Sequence, residues 1–207
     1  MTEETDSIEP EHEIPDPAEV GREPFDARPV LAIDPSLTGT AVATGYGSAP
    51  DIERITSKPC GQPPRERLRR YANIVRRVGD ICQPYAKEDP LILIEGYSYG
   101  SRGVGIYLGE FGAMLRQRLL DFGEMFEVPP KSLKKFTTDN GNADKRRMAT
   151  QALKRWGVEF DTDDEVDAFS LYQMGRLSLS GAEVKAPEFQ WAAIEAASIP
   201  MPNWYPA

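Results

Sequence analysis

Histidine is nearly missing from this chain of 207 residues: the one example, His12, lies in an acidic leader. Mechanisms built on Ser–His, Cys–His or a His-ligated metal are thereby removed from the rest of the sequence. Cysteine is almost as scarce. Cys60 and Cys82 stand far apart with no CxxC spacing, so neither a zinc site nor a disulfide framework is expected, and both read as ordinary reduced thiols. Apolar stretches run to only a handful of residues, which excludes a membrane span. The N-terminus is acidic rather than basic and then apolar, which argues against a secretory signal. A cytoplasmic protein is expected, and carboxylate and lysine chemistry is what remains to it.

Hydrophobic residues make up 40% of the chain, enough for one domain with a full core and hardly for two large ones. A net charge of −9 ordinarily argues against a nucleic-acid partner, yet the charge is unevenly spread. Residues 1–28 hold ten acidic and two basic side chains, whereas from Arg54 to Arg155 twenty Lys/Arg face eleven Asp/Glu. The middle of the protein is therefore basic, as a phosphate-binding surface should be. The leader is rich in Glu, Asp and Pro and cannot offset the entropy of ordering, so residues 1–28 are expected to form a disordered acidic tail. Residues 29–180 form the folded domain in this reading, and 181–207 a Pro-rich extension with exposed Trp204 and Tyr205 and a short helix near Glu188–Ala197.

Between these ends, Val30–Asp34, Thr40–Tyr46 and Ile52–Ser57 read as a meander of three strands, with Gly39 and the Gly45, Gly47, Ser48, Pro50 cluster supplying turns. Pro63 and Pro64 open a helix to about Gln83, apolar at Leu68, Tyr71, Ile74, Val75 and Val78 and basic at Arg65, Arg69, Arg70, Arg76 and Arg77. Leu91–Glu95 is apolar without alternation, as in a central strand covered on both faces. A Gly/Tyr loop through Gly103 precedes a helix over 104–122, whose Gly105, Gly109 and Gly112 leave room for a second subunit. A short strand at Glu124–Val128 ends at Pro129-Pro130. A basic turn follows, then helices over Ala143–Trp156 and Thr162–Leu177. The layout is α/β with a mixed sheet.

Four carboxylates carry the chemistry. Asp34 and Glu95 each end an apolar strand, and Asp164 and Asp167 share one face of a helix at i and i+3. Asp before Pro35 is also a routine turn starter, and acids suit a first helical turn, where Thr162 and Glu165 have capping-box spacing. Glu95 after four large apolar residues is costly to place without a partner. Ionised carboxylates gathered at low dielectric repel, so such a cluster calls for cations, and oxygen-only ligands favour Mg²⁺ or Mn²⁺. Lys131, Lys134 and Lys135, the run Lys145-Arg146-Arg147 and the Arg-rich helix are either phosphate contacts or solvated faces. Tyr97 and Tyr99, beside Arg102, could stack on bases or pack on the core.

Taken in order, these motifs resemble the RuvC-type Holliday-junction resolvases of the RNase H-like superfamily, over about residues 30–177. Ile33-Asp34-Pro35-Ser36-Leu37-Thr38-Gly39 is similar to the family's first-strand motif, Ile94-Glu95-Gly96-Tyr97 to its second, and Asp164-Glu165-Val166-Asp167-Ala168-Phe169 to its last. Pro129 through Lys145 resembles the segment carrying two active-site lysines, here Lys134 and Lys145. The resemblance implies an RNase H-like fold with a mixed five-stranded sheet flanked by helices. It also implies a homodimeric Mg²⁺-dependent endonuclease acting on branched DNA. Asp34, Glu95, Asp164 and Asp167 would hold two metal ions about 4 Å apart, with Mn²⁺ able to substitute. Lys131, Lys135, Arg146, Arg147, Tyr97, Tyr99 and Arg102 are the candidate DNA contacts. The Gly/Tyr-rich loop, acidic leader and Pro-rich tail depart from the cellular pattern and suggest a divergent, phage-encoded member working in a host cytoplasm. Two alternatives stand beside this one: an actin-like or sugar-kinase-like ATPase, opposed by the absence of a duplicated domain, and a catalytically silent branched-DNA-binding protein.

Overall fold

Strand parity explains how this chain builds two cores from one sheet. In the computed structural model, which describes residues 28–59, 63–97, 105–181 and 184–205, β1 (Val30–Asp34) is buried along its whole length. Val30 and Ala32 point into one apolar cluster, Leu31 and Ile33 into the other, because successive side chains of a strand face opposite ways. β4 (Leu91–Glu95) repeats the pattern, with Leu91 and Leu93 on the first face and Ile92 and Ile94 on the second.

β2 (Gly39–Gly45) and β3 (Asp51–Thr56) complete the antiparallel meander, and β5 (Met125–Val128) lies parallel to β4 at the far edge. The order is β3-β2-β1-β4-β5, with β1 and β4 parallel. This is the expected mixed five-stranded sheet. Among the described residues there is one such sheet.

The Ile33-side face is covered by α1 (Pro64–Cys82) and α2 (Gly105–Leu119), which bring Tyr71, Ile74, Val78, Phe111 and Leu115 to it. Leu68, expected on the inner side of α1, is exposed. The opposite face is covered by α5 (Asp163–Ser178), buried along most of its length. A Cβ on Gly175 would come within 2.7 Å of Val30 Cγ1 and 3.0 Å of Leu93 Cδ1, so this glycine is what lets the helix lie directly on β1 and β4. α3 (Pro130–Thr138), α4 (Lys145–Trp156) and α6 (Glu188–Ala196) pack around α5.

Two differences from expectation have plain causes. Pro129-Pro130 does not simply break the chain before a basic turn. Pro130 occupies N1 of α3, where its fixed φ and missing N–H cost nothing, and Leu133 and Phe136 reach the core. The C-terminal segment is not a loose appendage either. Trp191, Ala193, Ile194 and Ile199 are buried in the larger core, Gln190 donates to the Phe136 carbonyl (3.2 Å), and Trp204 and Tyr205 gather around Trp191. α6 thus braces α3. The leader, with His12, and Cys60 lie outside the described residues. Cys82 is buried, and burial pushes its thiol up to about 12, so it is inert. No helix among the described residues is long and apolar enough to cross a membrane.

Candidate active site

Register and parity place the first two acids together. Ile33 pairs with Ile94 across the parallel β1/β4 ladder, so the next residues, Asp34 and Glu95, end neighbouring strands side by side. Both share the parity of Ala32 and Leu93, and so both project toward α5. Asp34 also pairs with Ala41, Ala41 with Arg54, and Glu95 with Val128. One row therefore crosses the whole sheet at the strand ends: Arg54, Ala41, Asp34, Glu95, Val128. The carboxyl ends of parallel strands are where open α/β sheets carry their ligands.

Asp34 is 6% exposed. Burial and then the charge of Glu95 push its carboxyl well above the usual carboxylate range. A hydrogen bond with Glu95 and the charges of Asp167 and Asp164 add to the shift. Burial also raises Glu95, while the hydrogen bond from Asp34 and the charges of Lys134 and Lys145 pull it back. Burial and mutual repulsion thus both work against the two carboxylates being ionised together, and a cation between them would relieve that cost.

α5 brings the other two. Its start is fixed by a capping box in which the Thr162 hydroxyl accepts from the Glu165 amide (3.4 Å) and Glu165 Oε2 accepts from the Thr162 amide (3.0 Å). Glu165 is therefore committed to the cap, and Asp164 and Asp167 are left on the face toward the sheet. Burial, followed by the Glu95 charge, pushes Asp167 up to about 7, with Lys145 pulling the other way. Asp164 accepts from Arg54 on β3. The ammonium of Lys145, at the start of α4, sits 3.0 Å from Asp163 and is largely exposed, and Lys134 on α3 is half-buried.

No protein-family model and no curated protein sequence matches this chain. Solved structures do. A structure of Thermus thermophilus RuvC is similar over 82% of this chain and 96% of that one, at 15% identity and a TM-score of 0.52. The structure of T. thermophilus RuvC in complex with Holliday junction substrate is similar over 70% of this chain and 90% of that one, at 16% identity and a TM-score of 0.55. The fold is that of RuvC.

On this RuvC fold the basic candidates divide. Lys131, Lys135 and Arg146 are exposed. Arg147, also exposed, donates to the Thr138 carbonyl (3.5 Å) and Arg155 to the Thr137 carbonyl (2.8 Å), so both help close the end of α3. Several arginines of α1 are tied into the structure. Arg67 forks onto Glu110, Arg77 onto Glu53, and Arg70 donates to the Leu37 carbonyl and to Ser57. The Tyr97 ring packs on α2, with the Arg116 guanidinium 4.2 Å from its centroid and its hydroxyl above Gly112, and is half-buried. Tyr99 and Arg102 lie outside the described residues. Arg54 was not among the sequence candidates. Its alternation in Asp51-Ile52-Glu53-Arg54 gives the face, but only the register puts it in line with Asp34.

Four carboxylates with no nitrogen or sulfur donor suit a hard divalent cation. Among the described residues no three acidic side chains are drawn close enough to clasp an ion. Asp34 is hydrogen-bonded to Glu95, and Asp164 accepts from Arg54. A divalent cation among these carboxylates would offset both the burial of charge and the mutual repulsion, so the donor set fits such an ion.

Proposed function

We propose that this protein is a structure-selective endonuclease that resolves four-way junctions and related branched DNA by metal-dependent paired phosphodiester cleavage. The observation that carries the reading is the pair Asp34 and Glu95 at neighbouring strand ends beside Asp164 and Asp167 of α5, buried where repelling acids are costly. It occurs on the fold of a RuvC whose solved complex contains a Holliday junction. Asp34, Glu95, Asp164 and Asp167 would hold Mg²⁺ or Mn²⁺, which supplies water activation and leaving-group stabilisation when bound. Lys134 and Lys145, both close enough to lower the Glu95 carboxyl, offset charge on the scissile phosphate. Lys131, Lys135 and Arg146 lie exposed beside them to take flanking phosphates. Tyr99 and Arg102, which follow Glu95 in the sequence, are further candidate DNA contacts, with either Tyr97 or Tyr99 as the aromatic that probes the junction.

A four-way junction offers two related strands, so a twofold homodimer supplies one site for each. The start of α2 leaves room for that contact: among the described residues nothing lies within 4 Å of a Cβ built on Gly105 or Gly109, and Ile106 is 76% exposed. The test is to incubate the purified protein with labelled four-way junction, flap, fork and linear duplex, with and without Mg²⁺, and to map the cuts. Symmetric nicks in the junction support the reading. Equal degradation of linear duplex contradicts selectivity, and junction binding without cleavage identifies a silent binding protein.

A further inference from the structure

Asp164 differs from its three companions: among the described residues it alone of the four acids makes an ion pair, with Arg54. The geometry is one-sided. Arg54 Nε lies 3.0 Å and an η nitrogen 2.9 Å from the same oxygen, Oδ2, which leaves Oδ1 unengaged by the guanidinium. The pair lies over Gly39, the first residue of β2. A Cβ there would come within 2.8 Å of Arg54 Cζ and would also run into the Asp164 carboxylate. Gly39 has no positive φ, so its missing side chain is needed for space and not for backbone freedom. Three residues remote in sequence therefore form one unit: a glycine that opens a gap, an arginine that fills it, and an acid locked by one oxygen.

We propose that Arg54 is a positioning residue that fixes the Asp164 carboxylate by one oxygen so that the other is presented to a divalent cation, with Gly39 as the seat of the pair. This rests on the metal-dependent reading above. Asp164 stands in the first turn of α5, where its side chain would otherwise sample several rotamers. A planar guanidinium that donates from Nε to one carboxylate oxygen, with an η nitrogen beside the same oxygen, restricts where that oxygen can sit more than a flexible lysine ammonium does. Groups that orient ligands in this way commonly govern metal affinity.

The experiment is calorimetric titration of the DNA-free protein with Mn²⁺, for the wild type, Arg54→Met, Arg54→Lys, Gly39→Ala and the Arg54→Met/Gly39→Ala double variant. Thermal melts and chelator-treated junction binding report the fold. The expectation is a loss of Mn²⁺ affinity of about 10- to 100-fold for each single variant. Arg54→Lys should not restore it, and the double variant should be little worse than either single one, since both act on one contact. Junction binding without metal stays within a few-fold of wild type. Unchanged or tighter Mn²⁺ binding by Arg54→Met overturns the proposal, tighter binding meaning that the guanidinium competes with the ion. If Gly39→Ala fails to fold, Arg54→Met against Arg54→Lys still decides. A wild type that binds no divalent cation defeats the functional reading itself, an outcome distinct from unaltered binding in the variants.

Discussion

Replacing Asp167 with asparagine should stabilise the metal-free protein while destroying its activity, and the gain should depend on pH. Burial, chiefly, lifts the Asp167 carboxyl from 3.8 to about 7. An acid whose folded pKa lies above its unfolded one contributes fully below the unfolded value, and that contribution is lost as pH rises through the folded value. The window here runs from about pH 4 to about pH 7. A rise of roughly three pH units, at about 1.4 kcal/mol each, sets an upper limit of about 4 kcal/mol lost in the alkaline range. The amide must still satisfy its own polar atoms at a cost of about 1–3 kcal/mol, which leaves a gain of about 1–3 kcal/mol for Asp167→Asn at pH 8.5. For a chain of this length that is about 2–12 °C in Tm. Calorimetric melts in chelator at pH 4.5 and 8.5 read it directly. Added Mg²⁺ should raise the wild-type Tm at pH 8.5 and do much less for the variant. A gain equal at both pH values, or a loss at pH 8.5, refutes the idea that Asp167 is held at a cost in folding stability for the sake of a cation.

Asp34→Asn and Glu95→Gln should each abolish junction cleavage yet bind the junction at wild-type strength in a gel-shift assay; loss of both together would signal misfolding instead. Lys134→Ala should slow single-turnover cleavage by about 10²- to 10³-fold, and Lys145→Ala by less, because Lys134 is half-buried and acts more strongly on Glu95, whereas Lys145 is exposed and pairs with Asp163. Trp191→Ala should cost about 3–5 kcal/mol in chemical denaturation, since this ring is buried between α6 and the Trp204 and Tyr205 rings. A loss under 1 kcal/mol would show that the C-terminal segment is dispensable to the core.

What could be read from the sequence was whatever depended on local pattern. Val30–Asp34 and Leu91–Glu95 announced themselves as covered strands ending in acids, and Thr162 with Glu165 announced the start of α5. The rest depended on contacts between distant residues. α3 was hidden because Pro129-Pro130 reads equally as a break and as a helix start, and the choice is made by Leu133 and Phe136 finding the core and by α6 closing over them. The burial of Trp191 depends on α3, more than fifty residues earlier in the chain. Tyr97 was open between packing and stacking, and Gly112, by lacking a side chain, gives its ring a seat. Arg54 needed the β2/β3 register before its alignment with Asp34 meant anything. The sequence alone marks which residues are costly to bury; the sheet decides which of them meet.

Anomalous diffraction from crystals soaked in Mn²⁺ tests the central claim most directly. The account predicts a Mn²⁺ peak coordinated by Asp34 and Glu95, with Asp164 or Asp167 contributing from α5, and its loss in Asp34→Asn. A Mn²⁺-saturated crystal showing no peak at these strand ends, with Asp34 still hydrogen-bonded to Glu95, would contradict it.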